Sequence, residues 1–172
     1  MSNLLVTYHN IKLKKMKTNI RSDYHANIDV HCSAQLAFDA ISRVSAWWTE
    51  NTSGSTLNLN DEFNVRFGET YSTFKIIEAI PARKMVWQVL DCNLHWMNDK
   101  KEWKDTKILW RVSSSGDVSR ISMTHIGLND GIECFEDCTK GWNHYVTVSL
   151  FKLIEEGKGE PDHKEYSALE RQ

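Results

Sequence analysis

The feature that most narrows the folds open to this chain is a change of hydrophobic period. Apolar residues recur at every second position in several short runs and then, once, at every third or fourth position over a long stretch near the C-terminus. From Tyr24 to Val30, Ala26, Ile28 and Val30 alternate with His25, Asn27 and Asp29, the pattern of a half-buried strand. Five further runs follow: Phe63, Val65 and Phe67; Phe74 and Ile76 on to Ile80; Met85, Trp87 and Val89; Ile108, Trp110 and Val112; and Ile121, Met123 and His125. Pro81 to Lys84 is a short connection, and Ser113 to Asp117, with Gly116, reads as a hairpin turn. From about Glu133 to Glu156 the spacing becomes helical, with Phe135, Cys138, Trp142, Tyr145, Ser149 and Leu153 on one stripe and Gly157 placed as a C-cap. Consecutive strands joined by short turns pair as a meander, and a single long amphipathic helix must bury its stripe. The expected fold is therefore α+β, a curved antiparallel sheet with the helix across its concave face.

Between the first strand and the meander, Ser33 is placed to cap a short helix whose apolar face is Leu36, Ala37, Ala40, Ile41 and Val44. Trp47 and Trp48 follow; as neighbours at a helix end they are not both expected to face inward, so one is read as covering a pocket mouth or a partner surface. Asn51 to Asn60 reads as loop. Asn98 to Asp105, a dense charge cluster around Trp103, reads as a rim loop too polar for the core. Residues 1–22 show neither period, and Met16 offers a second start, so this segment reads as a frayed extension or a start-site artefact. The boundaries are an extension over 1–22, one domain over 23–161 and a tail over 162–172.

With 172 residues the chain holds one core of ordinary size. Its 21 Lys+Arg against 23 Asp+Glu give a net charge of −2, which calls for neither nucleic acid nor an anionic membrane as partner. No run approaches the roughly 18–20 apolar residues of a membrane span. The lysines at 12, 14, 15 and 17 precede no sustained apolar region, so no secretory signal is read and the cytoplasm is the expected location. Cys32, Cys92, Cys134 and Cys138 are accordingly expected to be reduced thiols.

Several stretches taken together carry a family likeness: Trp47-Trp48, Pro81 to Trp87, Glu102 to Thr106, Thr124 to Leu128, Glu133-Cys134, Gly141-Trp142, Ser149-Leu150 and Gly157 to Gly159. Over roughly Tyr24 to Pro161 the chain resembles the SRPBCC, or START-like, superfamily, and within it the branch homologous to the activator of the 90-kDa heat-shock chaperone ATPase. The resemblance implies the helix-grip fold, in which the sheet wraps the C-terminal helix. It leaves chemistry open, because the superfamily holds lipid and hormone carriers, polyketide cyclases and ring-hydroxylase subunits. The two-His, one-carboxylate iron site of the ring hydroxylases has no matching cluster in this sequence. Much of the chaperone activator's action involves an additional N-terminal domain, which a chain of this length is not expected to hold, so the resemblance is not expected to carry cochaperone activity with it.

Seven tryptophans are a heavy load, and Trp87, Trp110 and Trp142 with Met123 would suit either a packed core or a pocket for a flat apolar ligand. His125, in register with Ile121 and Met123, is the candidate polar anchor, and its alternative is a hydrogen-bonded core histidine. Glu133, read as opening the long helix, is either an N-terminal carboxylate favoured by the helix dipole or the partner of His125 in an acid–base pair. Cys134 and Cys138 are read as two buried thiols, since no second ligand pair at zinc spacing accompanies them. The expected ligand-lining set is Trp48, Trp87, Trp110, Met123, His125, Cys138, Trp142 and Tyr145, with Glu133 as a further polar anchor and no metal or cofactor. No phosphate loop, HExxH or GxSxG motif is present. The expected function is a module binding a small apolar or aromatic molecule between sheet and helix, more a binder than an enzyme. Two alternatives stand beside it: a cyclase- or aromatase-like enzyme using His125 with a carboxylate, and a chaperone-associated interaction domain presenting Trp48 and Trp103. A homodimer is left open on base rates alone.

Overall fold

The computed structural model of the chain describes residues 21–163; most of the extension and tail expected from the sequence lies outside the described residues. Seven strands form one antiparallel sheet: β1 (Tyr24–Val30), β2 (Thr52–Gly54), β3 (Glu62–Phe67), β4 (Thr70–Ile80), β5 (Lys84–Asn93), β6 (Lys107–Ser115) and β7 (Val118–Ile126), in spatial order β1-β7-β6-β5-β4-β3-β2. The meander β2 to β7 follows chain order, and β1 returns to pair with β7 in a register running from Tyr24 opposite His125 to Val30 opposite Ser119. Register shifts at Thr73/Phe74 and Ile76/Glu78 interrupt the β4–β5 ladder, the local irregularity by which a long strand pair bends around a core.

Two short helices, α1 (Ala34–Ser42) and α2 (Val44–Trp47), bridge β1 and β2. Ser33 caps α1 as expected, its Oγ accepting from the Leu36 N–H at 3.2 Å. The C-terminal helix is continuous but not uniform: α3 (Phe135–Trp142) passes into a π-helical segment (Asn143–Leu150) and then α4 (Phe151–Glu155), closed by Gly157 at φ 78°. The widened turns bury Val146, Ser149 and Leu150 together. Beyond Gly157 the chain crosses back over α2. The Ser149 hydroxyl donates to the Trp47 carbonyl and accepts from the Glu160 N–H, each at 2.6 Å. Asp162 then closes on the segment after α2, with its N–H on the Trp48 carbonyl and its carbonyl on the Glu50 N–H, both at 2.9 Å.

The strands lie where the alternation placed them, but four local expectations are corrected. Leu36 is 61% exposed, and Phe38 takes the inward position on α1. Thr52–Gly54, read as loop, adds the short edge strand β2 against β3. The long helix begins at Phe135, so Glu133 precedes it. Trp47 and Trp48 are both buried, because their rings stack at 5.8 Å with 8° between planes and both turn into the core from a tight helical turn.

Candidate functional site

The inward faces of β5, β6 and β7 converge on the C-terminal helix in a dense aromatic core. His125 lies at its centre with no solvent exposure. The Trp142 indole N–H donates to Nδ1 of His125 at 3.0 Å, which leaves the ring proton on Nε2, facing the Thr106 hydroxyl at 2.9 Å; Thr106 in turn donates to the Trp103 carbonyl at 2.6 Å. Burial pushes the imidazole down to about 3, so it is neutral in the folded protein. Both nitrogens are used, and the ring is packed edge-on against Trp103 at 4.6 Å.

This arrangement removes the hollow expected between Ile121, Met123 and His125 on one side and Trp142 and Tyr145 on the other. His125 and Trp142 are in direct contact, and Trp87, Trp110 and Met123 are fully buried in the same packing. Nor are His125 and Glu133 brought together as an acid–base pair. Glu133 instead accepts from the Asn98 N–H and Nδ2 and the Asp99 N–H. The free N–H groups at the head of α3 are met by a different carboxylate, Glu102, which accepts from the Glu133 and Cys134 N–H groups at 2.6 and 2.8 Å.

The reciprocal carboxylate contacts dock the 98–105 loop onto the helix and carry Trp103 inward. Trp103 is 7% exposed and stacks parallel to Trp142 at 5.8 Å, and Trp48 is 3% exposed. The exposed surface expected around Trp48 and Trp103 is therefore absent. Among the described residues, Trp96, at 50% exposure, is the large aromatic that faces outward.

An open cavity of about 430 Å³ lies beside this core, displaced toward the β3–β4 end of the sheet. Trp48, Trp103, Trp142 and Tyr145 form its inner wall, Val65, Phe67 and Ser72 its floor, and Leu94 and Trp96 one lip. Of the expected lining set, Trp48, Cys138, Trp142 and Tyr145 reach the cavity, whereas Trp87, Trp110, Met123 and His125 form the solid core behind it. Gly141, on α3, also lines it, and a β-carbon built at that position would meet nothing within 4 Å. The residues missed by periodicity had a signal: along the inward face of β4 the side chains shrink from Ile76 and Phe74 to Ser72 and Thr70, and Gly141 lines the same cavity. Small residues on facing positions leave space.

Two carboxylates, Asp137 and Asp162, also line the cavity. Tyr145 is pushed up to about 12 by burial and then by the charge of Asp162. Cys138 faces the cavity with Cys134 behind it; the Cys138 thiol, then burial, push Cys134 above the ordinary thiol range. Among the described residues no group of three or more His, Cys, Asp or Glu side chains could hold a metal ion. Among those residues, too, no helix is long and apolar enough to cross a membrane.

A curved seven-stranded antiparallel sheet gripping a C-terminal helix, with a lateral cavity between them, defines the helix-grip class. Comparison with known proteins bears this out at the level of fold. No family model matches the chain, and no curated protein does. Among solved structures it is similar to the Aha1 protein of Colwellia psychrerythraea, solved in solution as a dimer, with TM-score 0.65 and 21% identity over 80% of this chain and 98% of that one. The protein SSP2350 of Staphylococcus saprophyticus gives TM-score 0.61 and 12% identity over 80% and 95% of the two chains. DynU16, from the dynemicin biosynthetic locus, gives TM-score 0.59 and 14% identity over 81% of this chain and 50% of that one. The expected architecture thus agrees with the folds that this structure matches.

Proposed function

We propose that this protein is a binding module that holds a small, largely apolar and aromatic molecule in the cavity between β3, β4 and the head of the C-terminal helix. The observation that carries the reading is Gly141. A glycine inside a helix costs roughly 1 kcal/mol relative to alanine, and here no neighbouring atom forbids a side chain. What the missing side chain preserves is open volume against Trp142 and Tyr145. Indole and phenol walls supply large contact area at low conformational cost, and apolar burial at about 25 cal/mol per Å² is enough for micromolar affinity.

A proton-transfer enzyme draws no support from His125, whose two nitrogens are engaged within the core. The test is native mass spectrometry of freshly purified protein for a co-purifying molecule, paired with a thermal-shift screen of aromatic and lipid-like compounds on wild type and Gly141→Leu. The reading expects stabilising compounds for wild type and loss of their effect in a folded Gly141→Leu protein. Compounds that stabilise both proteins equally would place binding elsewhere and defeat it.

A further inference from the structure

Cys134 and Cys138 stand one helical turn apart at the head of the C-terminal helix, both as free thiols. The turn between them is closed by the Cys138 N–H on the Cys134 carbonyl at 2.8 Å, which sets the two side chains on one face. Cys134 is wholly buried, while Cys138 forms part of the cavity wall together with Trp103 and Trp142. The sulfurs are close enough that Cys138 is the foremost influence on the ionisation of Cys134. The Trp103 indole N–H, buried and without a conventional hydrogen-bond partner, bears on the Cys134 sulfur as well. A buried donor in that state favours electron density on the sulfur it meets.

What such a pair can hold follows from its spacing. Residues four apart on a helix keep their β-carbons roughly 5–6 Å apart, whereas a disulfide draws them to about 3.5–4.5 Å, so a direct S–S bond would distort the turn. One atom inserted between the sulfurs relieves the mismatch. Two thiols are too few for a metal cage, and among the described residues no group of three or more His, Cys, Asp or Glu completes one. A pyramidal centre that brings its own carbon substituent needs only two. The neighbouring thiol and burial also keep Cys134 protonated, which favours an exchange with a neutral product over coordination of a cation by two thiolates.

We infer that Cys134 and Cys138 are a dithiol capture site for organic compounds of trivalent arsenic, with the organic group lying in the cavity against Trp103 and Trp142. The step needs no oxidant. An arsonous acid R–As(OH)2 and the two thiols give the cyclic dithioarsonite and two molecules of water: the two As–O bonds and two S–H bonds break, two As–S bonds form, and each thiol proton leaves on a hydroxide. Arsenic stays trivalent throughout. This inference rests on the cavity being a binding site and names a ligand class that is anchored there covalently.

The probes are phenylarsine oxide and methylarsine oxide, each added to the full chain at one equivalent. Intact mass spectrometry should show a single adduct, and the titratable thiols should fall from four to two. The adduct should map to the tryptic peptide 121–140, which holds both cysteines, and its formation should quench tryptophan emission of the folded protein. Excess glutathione should leave it in place and 1,2-ethanedithiol should remove it. Cys134→Ala and Cys138→Ala should each weaken retention at least about 100-fold, because the second thiol no longer acts at high effective concentration, whereas Cys32→Ser should change nothing. Measured against partition onto free dithiothreitol, the phenyl compound should be held about ten-fold more strongly than the methyl compound. An adduct on Cys32 or Cys92, or one that glutathione strips as readily from wild type as from Cys138→Ala, overturns the capture site. Equal retention of the two compounds overturns the placement of the organic group and the aromatic cavity with it. If neither is retained while aromatic compounds still raise the melting temperature of wild type, the capture site falls and the binding module stands.

Discussion

The indole N–H of Trp142 donates to Nδ1 of His125 at the centre of the fold, 3.0 Å away and out of contact with solvent. One polar bond thus joins the last long strand to the gripped helix. Trp142→Phe keeps a ring in place but leaves an imidazole nitrogen buried without its donor, so a loss of about 1–3 kcal/mol is expected in urea unfolding. A loss below about 0.5 kcal/mol would mean that the bond contributes nothing net.

The neutral state of His125 ties stability to pH. Its value falls from 6.5 to about 3 on folding, so the unfolded chain binds the additional proton. Stability is fully present above about 6.5 and declines as pH falls toward about 3, by at most about 1.4 kcal/mol per pH unit. Denaturation midpoints at pH 7.5, 5.5 and 4.5 should show the decline, and His125→Gln should flatten it relative to wild type.

Glu102 and Glu133 exchange backbone contacts between the 98–105 loop and the head of the helix. Glu102→Ala strips the free N–H groups of Glu133 and Cys134 of their acceptor, and about 1–2 kcal/mol should be lost. Because the same contact seats Trp103, its emission should shift to the red even where the protein remains folded. An unchanged spectrum would show that Trp103 is held by its ring contacts alone.

At Gly141 and Gly159 the same substitution should act in opposite directions. Gly141→Ala gains helix propensity with no clash and should stabilise by about 0.5–1 kcal/mol. Gly159→Ala would bring a β-carbon to 2.4 Å from the Ala46 carbonyl oxygen, and should cost about 1–3 kcal/mol as the tail lifts from α2. Thermal melts of the two variants side by side test both signs.

The strands, their meander, the helix and its stop were legible because each rests on a local period or a special residue: the alternation in β1 and β7, the stripe from Cys138 to Leu153, and Gly157; the return of β1 to the edge of β7 was not, since pairing between strands about ninety positions apart leaves no local period. The cavity was half legible. Cys138, Trp142 and Tyr145 were found because they lie on the inward stripe, and Trp48 because one of the adjacent pair was read as covering a pocket mouth, but the cavity's position was not, since periodicity reports which way a side chain points and not whether the space it enters is filled. His125 points inward as read, and the space in front of it is taken by Trp142. Trp103 was misplaced because its burial is decided by Glu102 and Glu133, two residues about thirty positions apart whose exchange of contacts leaves no local trace. Glu133 was misplaced for the same reason.

Six of the seven tryptophans form one connected array: Trp103 on Trp142 at 5.8 Å, Trp142 on Trp48 at 4.7 Å, Trp48 on Trp47 at 5.8 Å, Trp47 on Trp110 at 5.7 Å, and Trp110 on Trp87 at 5.3 Å. Chromophores at such separations share excitation, so light absorbed at the buried end near Trp87 is free to migrate to the rings that line the cavity. A guest that quenches Trp142 will darken indoles it never touches, and the near-ultraviolet circular dichroism will belong to the array and to no single ring.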